Sequence, residues 1–359
     1  KIPERVTLRI NKAQFGPYVY VNGKPVGEYT YIFTPSQFDI APFLKQDEDN
    51  EIVIRLQNKK YQQDNPKSLG HLGFDGERKY YWPGIYDDVS LIVSGNPVVS
   101  YLQTAPDIDQ GTVYARAFLK NDSASSRTTP VTFRVYRLGI MADGVEPAIP
   151  ELVAEYQVKD VSVPAGKETV VSVPAMALKG YDKGRDVWSP DNPALYKLVV
   201  STSGDTFGQR FGMRTFRFDE TTKMPILNGK PHYLRGTNIA FNRFCDDPAR
   251  KDLPWKDGWA RELFREFKKV NFECFRTHTA FLPEKWYEVA DETGLMIMDE
   301  YPYWQHCDGE HCTAETVTPE VRAWMMDRGM HPSVIVWDVQ NESFQPWLID
   351  VLNPCRGID

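Results

Sequence analysis

Met330-His331-Pro332-Ser333-Val334-Ile335-Val336-Trp337-Asp338-Val339-Gln340-Asn341-Glu342-Ser343 is the run on which the fold turns. Before it, Val321, Trp324 and Met325 fall at helical spacing, and that helix stops at His331-Pro332. The residues Val334 to Trp337 are apolar without alternation, as expected of a parallel strand covered on both faces. An amide and a carboxylate, Asn341 and Glu342, stand side by side where the run ends. In folds built from βα repeats the carboxyl ends of the strands line the active site, so a Glu at this place is poised for chemistry. The competing reading is that the pair caps the next helix, since Asn and Ser favour such turns.

Working backwards, the same rhythm recurs from about residue 217. Tyr233 to Thr237 reads as a short strand ending at Asn238. Trp259, Leu263, Phe264, Phe267 and Val270 make an apolar helical stripe, and Phe272 to Thr277 reads as a second strand ending at His278. Pro283 to Thr293 is a helix closed by Gly294, followed by the strand Leu295 to Met298 ending in Asp299-Glu300. Thr318-Pro319 supplies an N-cap and a first-turn proline for a third helix. Four βα steps point to a parallel α/β architecture, and polar strand ends favour a (β/α)8 barrel cut near its middle. A doubly wound sheet is the alternative, but no glycine-rich turn follows the first strand.

The first 216 residues have a different texture. Residues 1–97 show short strands separated by turns: Val6 to Ile10, Tyr18 to Val21 running into Asn22-Gly23, Tyr31 to Phe33, Phe38 to Ile40, Glu51 to Leu56 and Val89 to Val93. Residues 98–216 repeat the style with Val113 to Leu119, Val131 to Tyr136, Ala154 to Val158, Glu168 to Val173 and Tyr196 to Ser201, and with Ser123 to Thr129 read as a loop. About 110 residues in roughly seven strands is the size of an immunoglobulin-like sandwich. The fold class expected is therefore multidomain β plus α/β: two β-sandwiches (1–97 and 98–216), then the first four units of a barrel (217–359).

Composition narrows the function. Net charge is −7 and no basic block is present, which disfavours a nucleic-acid partner. No run approaches the roughly 18 apolar residues of a membrane span, so no membrane partner is expected. Nine Trp, eighteen Tyr and nineteen Phe suit large β cores and equally suit stacking on sugar rings. All five cysteines (Cys245, Cys274, Cys307, Cys312, Cys355) lie in the last third, and their number is odd, unlike a disulfide-stapled scaffold. Lys1-Ile2-Pro3-Glu4 does not look like a native start, so both termini read as trimmed and localisation stays open. A homo-oligomer is compatible with all of this.

The strand ends collect Asn238, Arg276, His278, Asp299, Glu300, Asn341 and Glu342. Each alone has a structural explanation, such as Asp299 or Glu300 pairing with Arg276; recurrence at four successive ends favours function. Trp337 to Glu342, after His331-Pro332-Ser333, resembles the acid/base signature of family 2 glycoside hydrolases. Leu227 to Asn238 resembles that family's first barrel strand, and Asn271 to His278 with Tyr287 to Glu300 resembles its second and third. Val19 to Val26 and Trp82 to Tyr86 resemble its sugar-binding jelly roll, so the first sandwich is expected to be one.

The resemblance implies a retaining exo-β-glycosidase acting on terminal sugars of oligo- or polysaccharides, with β-galactosidase-like as the leading reading. It makes Glu342 the acid/base and Asn341 the donor to the sugar 2-hydroxyl. It has Asn238, His278 and Glu300 shape the subsite, with Trp304 beside Tyr303 stacking on a sugar or packing on the rim. No cofactor is expected. The family's nucleophile is a Glu on a later strand, and after Glu342 only Asp350 and Asp359 are acidic. Either the sequence is a fragment or catalysis is impossible as it stands. Glu300, on a strand about 4.8 Å away, is the substitute within the chain, although the family places its pair on strands four and seven.

Two departures bear on substrate. Asn238 to Phe244 lacks the polar His-Glu motif of galactosidases and glucuronidases, and Trp304 stands where a magnesium-ligand Glu would fall, although His306 remains. The loop His306 to Cys312 has near-zinc spacing within one segment, which favours a pocket-shaping loop over a metal site and leaves a zinc hydrolase as a remote reading. A non-catalytic carbohydrate-binding relative is the alternative from another class.

Overall fold

The computed structural model describes residues 1–14, 16–31, 33–56, 84–141, 143–278, 282–303, 313–342 and 346–355. The stretch Tyr80 to Pro83, Trp304 and the His306 to Cys312 loop lie outside them.

The N-terminal strands Arg5–Ile10, Ser36–Asp39 and Val89–Ser94 form one antiparallel sheet, and Pro17–Val21, Lys24–Glu28 and Ile52–Leu56 form another. Alternate residues of both (Val6, Leu8, Ile10, Val19, Val21, Phe38) meet in a single core. Asn22 and Gly23 both have positive φ (51° and 75°), as a two-residue type I′ hairpin demands. Tyr31 and Phe33, expected in one strand, lie in none of the described strands. Phe33 instead turns away to pack edge-on against Tyr301, with ring centroids 6.0 Å apart, because a larger apolar partner lies outside its own sheet.

Seven strands follow in two antiparallel sheets. Val98–Asp107, Thr112–Asn121 and Lys167–Ala177 face Arg127–Ile140, Glu151–Val163, Ala194–Ser201 and Thr206–Phe211 across a core that includes Val113, Leu119, Phe133, Val135, Leu198 and Val200. Arg127 to Thr129, expected in a loop, pair with Val163 to Val161, since backbone ladder bonds outweigh the turn preference of Thr.

Between the sandwich and the barrel lies a small antiparallel sheet of Phe216–Phe218, Pro225–Leu227 and Lys230–Pro231. The strand expected over Tyr233 to Thr237 begins only at Gly236, and the stretch Leu227 to Asn238, which resembles the family's first barrel strand, is not strand throughout. Asn228 and Gly229 instead make a second hairpin with positive φ at both residues (51° and 79°), the same signal as at 22–23.

Four parallel strands come next, paired in sequence order: β1 (Gly236–Ile239), β2 (Cys274–Thr277), β3 (Met296–Glu300) and β4 (Val334–Asp338). The connecting helices are α1 (Asp257–Lys269), α2 (Glu284–Thr293) and α3 (Ala314–Arg328). Phe264 of α1 and Trp286, Tyr287, Val289 and Ala290 of α2 pack on Phe275 and Ile297, which project from β2 and β3 to the helix side. Gly294 ends α2 with φ 72°, a left-handed cap that a Cβ would obstruct against the Pro190 backbone. The start of α3 departs from expectation. Its N-cap is Thr313, which forms a reciprocal capping box with Thr316, and Pro319 sits inside the helix. Two orphan donors satisfied at Thr313 outweigh the carbonyl bond that the proline forfeits.

The sandwich and the barrel floor share a third cluster. Trp188, fully buried, meets Leu227, Met296 and Ile335 and donates to the Asp291 carbonyl at 2.9 Å. Arg214 donates to the carbonyls of Pro332 and Val334 at 2.9 and 2.5 Å, which fixes the entry into β4.

Candidate active site

Side chains on a strand alternate, so each barrel strand sends one set inward and the other to the helices. On β2, Arg276 and His278 face inward while Phe275 and Thr277 face the helices. On β3, Glu300 faces inward and Asp299 outward. Asp299 is fully buried and accepts from Trp324 Nε1 (2.7 Å), Tyr287 Oη (2.8 Å) and Thr277 Oγ1 (3.1 Å). Burial pushes its carboxyl up, against the opposing pull of Arg328 and those three donors. Asp299 therefore fastens α2 and α3 to the sheet and takes no part in the mouth. Asp299→Ala should cost on the order of 3 kcal/mol or more, since three buried donors lose their acceptor at about 1–3 kcal/mol each. A denaturant midpoint equal to wild type would contradict that role.

The inward set converges. Arg276 Nη2 lies 2.7 Å from Glu300 Oε2, and Nε and Nη2 both lie 2.8 Å from Asp338 Oδ2. Nη2 also donates to Asn341 Oδ1 at 3.0 Å. Glu300 Oε2 is 3.3 Å from His278 Nδ1, and the Glu300 backbone N–H donates to Thr277 Oγ1 at 2.7 Å. Glu300 is closed off from solvent (0% exposed), so it lies beneath Arg276 and His278 and orients both. A carboxylate so buried and paired is poorly placed to attack a sugar, which argues against Glu300 as a substitute nucleophile. Asn238, expected at a strand end, lies within β1 opposite Arg276 and is exposed along that edge of the sheet.

Asn341 is buried, and its backbone N–H donates to the Tyr303 carbonyl at 2.7 Å. Among the described residues its Nδ2 has no hydrogen-bond partner. Glu342 next to it is exposed and holds φ 46°, a left-handed conformation that costs a non-glycine residue roughly 1–2 kcal/mol. Such outliers persist where the surroundings impose them, and Glu342 follows Asn341 directly beyond the carboxyl end of β4. Neither residue caps a helix among the described residues. No group of three or more His, Cys, Asp or Glu side chains is arranged to hold a metal ion among the described residues.

Residues 220–355 match the sequence model described as glycosyl hydrolases family 2, TIM barrel domain. Over these residues the chain is similar to glycoside hydrolase family 2. Its curated relatives include the β-galactosidase of Halalkalibacterium halodurans (25% identical over 351 residues) and that of Priestia megaterium (26% over 359). Each alignment takes in 91% of this chain and 31% of the relative, so the chain spans about a third of the length of those relatives. Among solved structures, a Bacteroides uniformis β-glucuronidase superposes with a TM-score of 0.70 at 23% identity, covering 99% of this chain and 42% of that one. A structure titled as a putative β-galactosidase from Bacteroides fragilis gives 0.76 at 18% identity, covering 99% and 51%. These two likenesses establish a shared fold.

Asp338 was not singled out from the sequence, although it touches the same guanidinium as Glu300 and Asn341. It sits at the end of an apolar run that reads as core, and strict alternation from Val334 would not place it inward. The register on β3 steps irregularly, Ile297 opposing Val334 but Met298 opposing Val336, so one extra residue of β4 is bulged. That shift turns Asp338 into the mouth and Trp337 onto Trp324 of α3, with ring centroids 4.9 Å apart.

Proposed function

We propose that this chain carries the acid/base half of the active site of a retaining exo-β-glycosidase, β-galactosidase-like in substrate, acting on terminal sugars of oligo- or polysaccharides. The observation that carries the reading is the hydrogen bond from Arg276 to Asn341 Oδ1, with the buried Nδ2, next in the chain to Glu342, left without a partner among the described residues. A sugar 2-hydroxyl bonded there gains most as the ring approaches its oxocarbenium-like transition state. Glu342 protonates the departing glycosidic oxygen and, in the second half-reaction, takes a proton from the attacking water. The second carboxylate of a retaining pair, about 5–5.5 Å from the first, comes from a later strand. His278, oriented by Glu300, and Asn238 line the subsite. In this reading the units bounded near residues 97 and 216 are a jelly roll and an immunoglobulin-like sandwich that support the barrel.

The test is the complete gene product assayed on a panel of aryl β-glycosides, with the anomeric configuration of the first product followed by NMR. The β-galactoside is expected to turn over fastest, with the β-configured sugar released first. Release of the α-configured sugar, or no turnover of any panel member, would overturn the proposal.

A further inference from the structure

We propose that Asp338 is a positioning residue which, through Arg276, holds the Asn341 amide with its NH2 toward the sugar. The inference rests on the reading of Asn341 as the 2-hydroxyl donor. An amide's oxygen and nitrogen are nearly interchangeable in shape, and only the partners decide which way it points. A guanidinium is donor-only, so the oxygen of Asn341 must face Arg276 and the NH2 must face away. The orientation of Asn341 is therefore only as secure as that of Arg276.

Arg276 is contested. Glu300, at 2.7 Å from Nη2, is a buried carboxylate that by itself would draw a two-pronged pair with the guanidinium. Asp338 prevents this by engaging Nε at 2.8 Å while also touching Nη2. With Asp338 bridging Nε and Nη2, Glu300 and Asn341 share what remains of the Nη2 donor capacity. Without Asp338, the guanidinium is free to swing onto Glu300 and abandon Asn341, whose amide can then flip and present an acceptor to the sugar. Glu300 and Asp338 are cross-strand neighbours on β3 and β4, so the two carboxylates grip Arg276 from adjacent strands.

The experiment compares Asp338→Ala, Asp338→Asn and Asn341→Ala in the complete gene product, on an aryl β-galactoside and its 2-deoxy counterpart. Asp338→Ala is expected to lower kcat on the parent substrate at least tenfold with KM within about twofold. On the 2-deoxy substrate the loss is expected to shrink below about twofold. Asp338→Asn keeps the volume and one acceptor oxygen, so it should recover most of the loss, and it carries the comparison if Asp338→Ala does not fold. Asn341→Ala should show the same dependence on the 2-hydroxyl, and adding Asp338→Ala to it should cost little more. Equal losses on both substrates, or no loss on either, would overturn the role of Asp338. If wild type itself is indifferent to removal of the 2-hydroxyl, the reading of Asn341 fails instead, and this inference with it.

Discussion

Glu342→Gln should lower turnover of natural glycosides by about 10²- to 10⁴-fold, the range that a positioned general acid supplies. Glutamine keeps the size and one oxygen but cannot donate a proton to a poor leaving group. Aryl glycosides whose phenols leave without protonation should still form the glycosyl-enzyme at near wild-type kcat/KM. They should then stall, because water no longer has its base. Azide, which needs no deprotonation, should restore kcat and yield the β-glycosyl azide. Normal hydrolysis of natural glycosides by this variant would remove Glu342 from the mechanism. Its placement argues otherwise: the residue stands exposed, in a left-handed conformation, beside an amide whose partner fixes its direction.

The largest stability effect is expected from Arg328→Met, at about 3–5 kcal/mol, the usual result of removing one partner from a buried ion pair. Arg328 is 1% exposed, ion-paired with Glu284 and with Asp327, and its guanidinium lies 4.2 Å from the Tyr287 ring centroid. The same Glu284 lies 3.0 Å from His331 Nε2 and 3.8 Å from Lys12 Nζ, and Lys12 pairs with Asp87 at 2.7 Å. The N-terminal sandwich is thus locked to α2 and α3 through charges that have little water to fall back on. Loss of Arg328 takes the closest cation from Glu284 and Asp327, leaving His331 and Lys12 to the first and Arg9 to the second, and a shift of the denaturant midpoint by less than about 1 kcal/mol equivalent would refute the account.

The network also sets a pH dependence. Burial alone would push the His331 imidazole down, but Asp291 on Nδ1 (2.7 Å) and Glu284 on Nε2 outweigh it and lift the group to about 10, from an ordinary 6.5. The folded state therefore holds this proton more tightly than the unfolded chain. Its stabilisation is complete below about pH 6.5 and is lost as the pH rises through about 10. The gap in unfolding free energy between wild type and His331→Gln should accordingly narrow from pH 7 to pH 10. A gap that is flat or widens over that range would contradict the ion-paired imidazolium.

Much of the barrel could be read without coordinates because its signals are local. The 3.6-residue stripe of α1, the Gly294 stop and the unbroken apolar β4 each depend on residues within one turn or one strand. Parallel strands also share a carboxyl end, so polar residues there had to gather at one mouth. The misplaced start of α3 has a local cause too. Thr318-Pro319 and Thr313 with Thr316 are both plausible caps, and choosing between them needs the hydrogen bonds.

By itself, then, the sequence determined the parallel strands and that Asn341 and Glu342 follow the fourth of them. Tertiary structure alone decided which neighbours serve that rim. A single bulged residue in β4 turns Asp338 inward and Trp337 outward, and nothing in the run Val334 to Asp338 announces it. Likewise Lys12 meets Glu284, and Glu284 meets Arg328, only after distant parts of the chain pack together. Periodicity is a property of neighbours along the chain, whereas register and charge pairing are properties of neighbours across it.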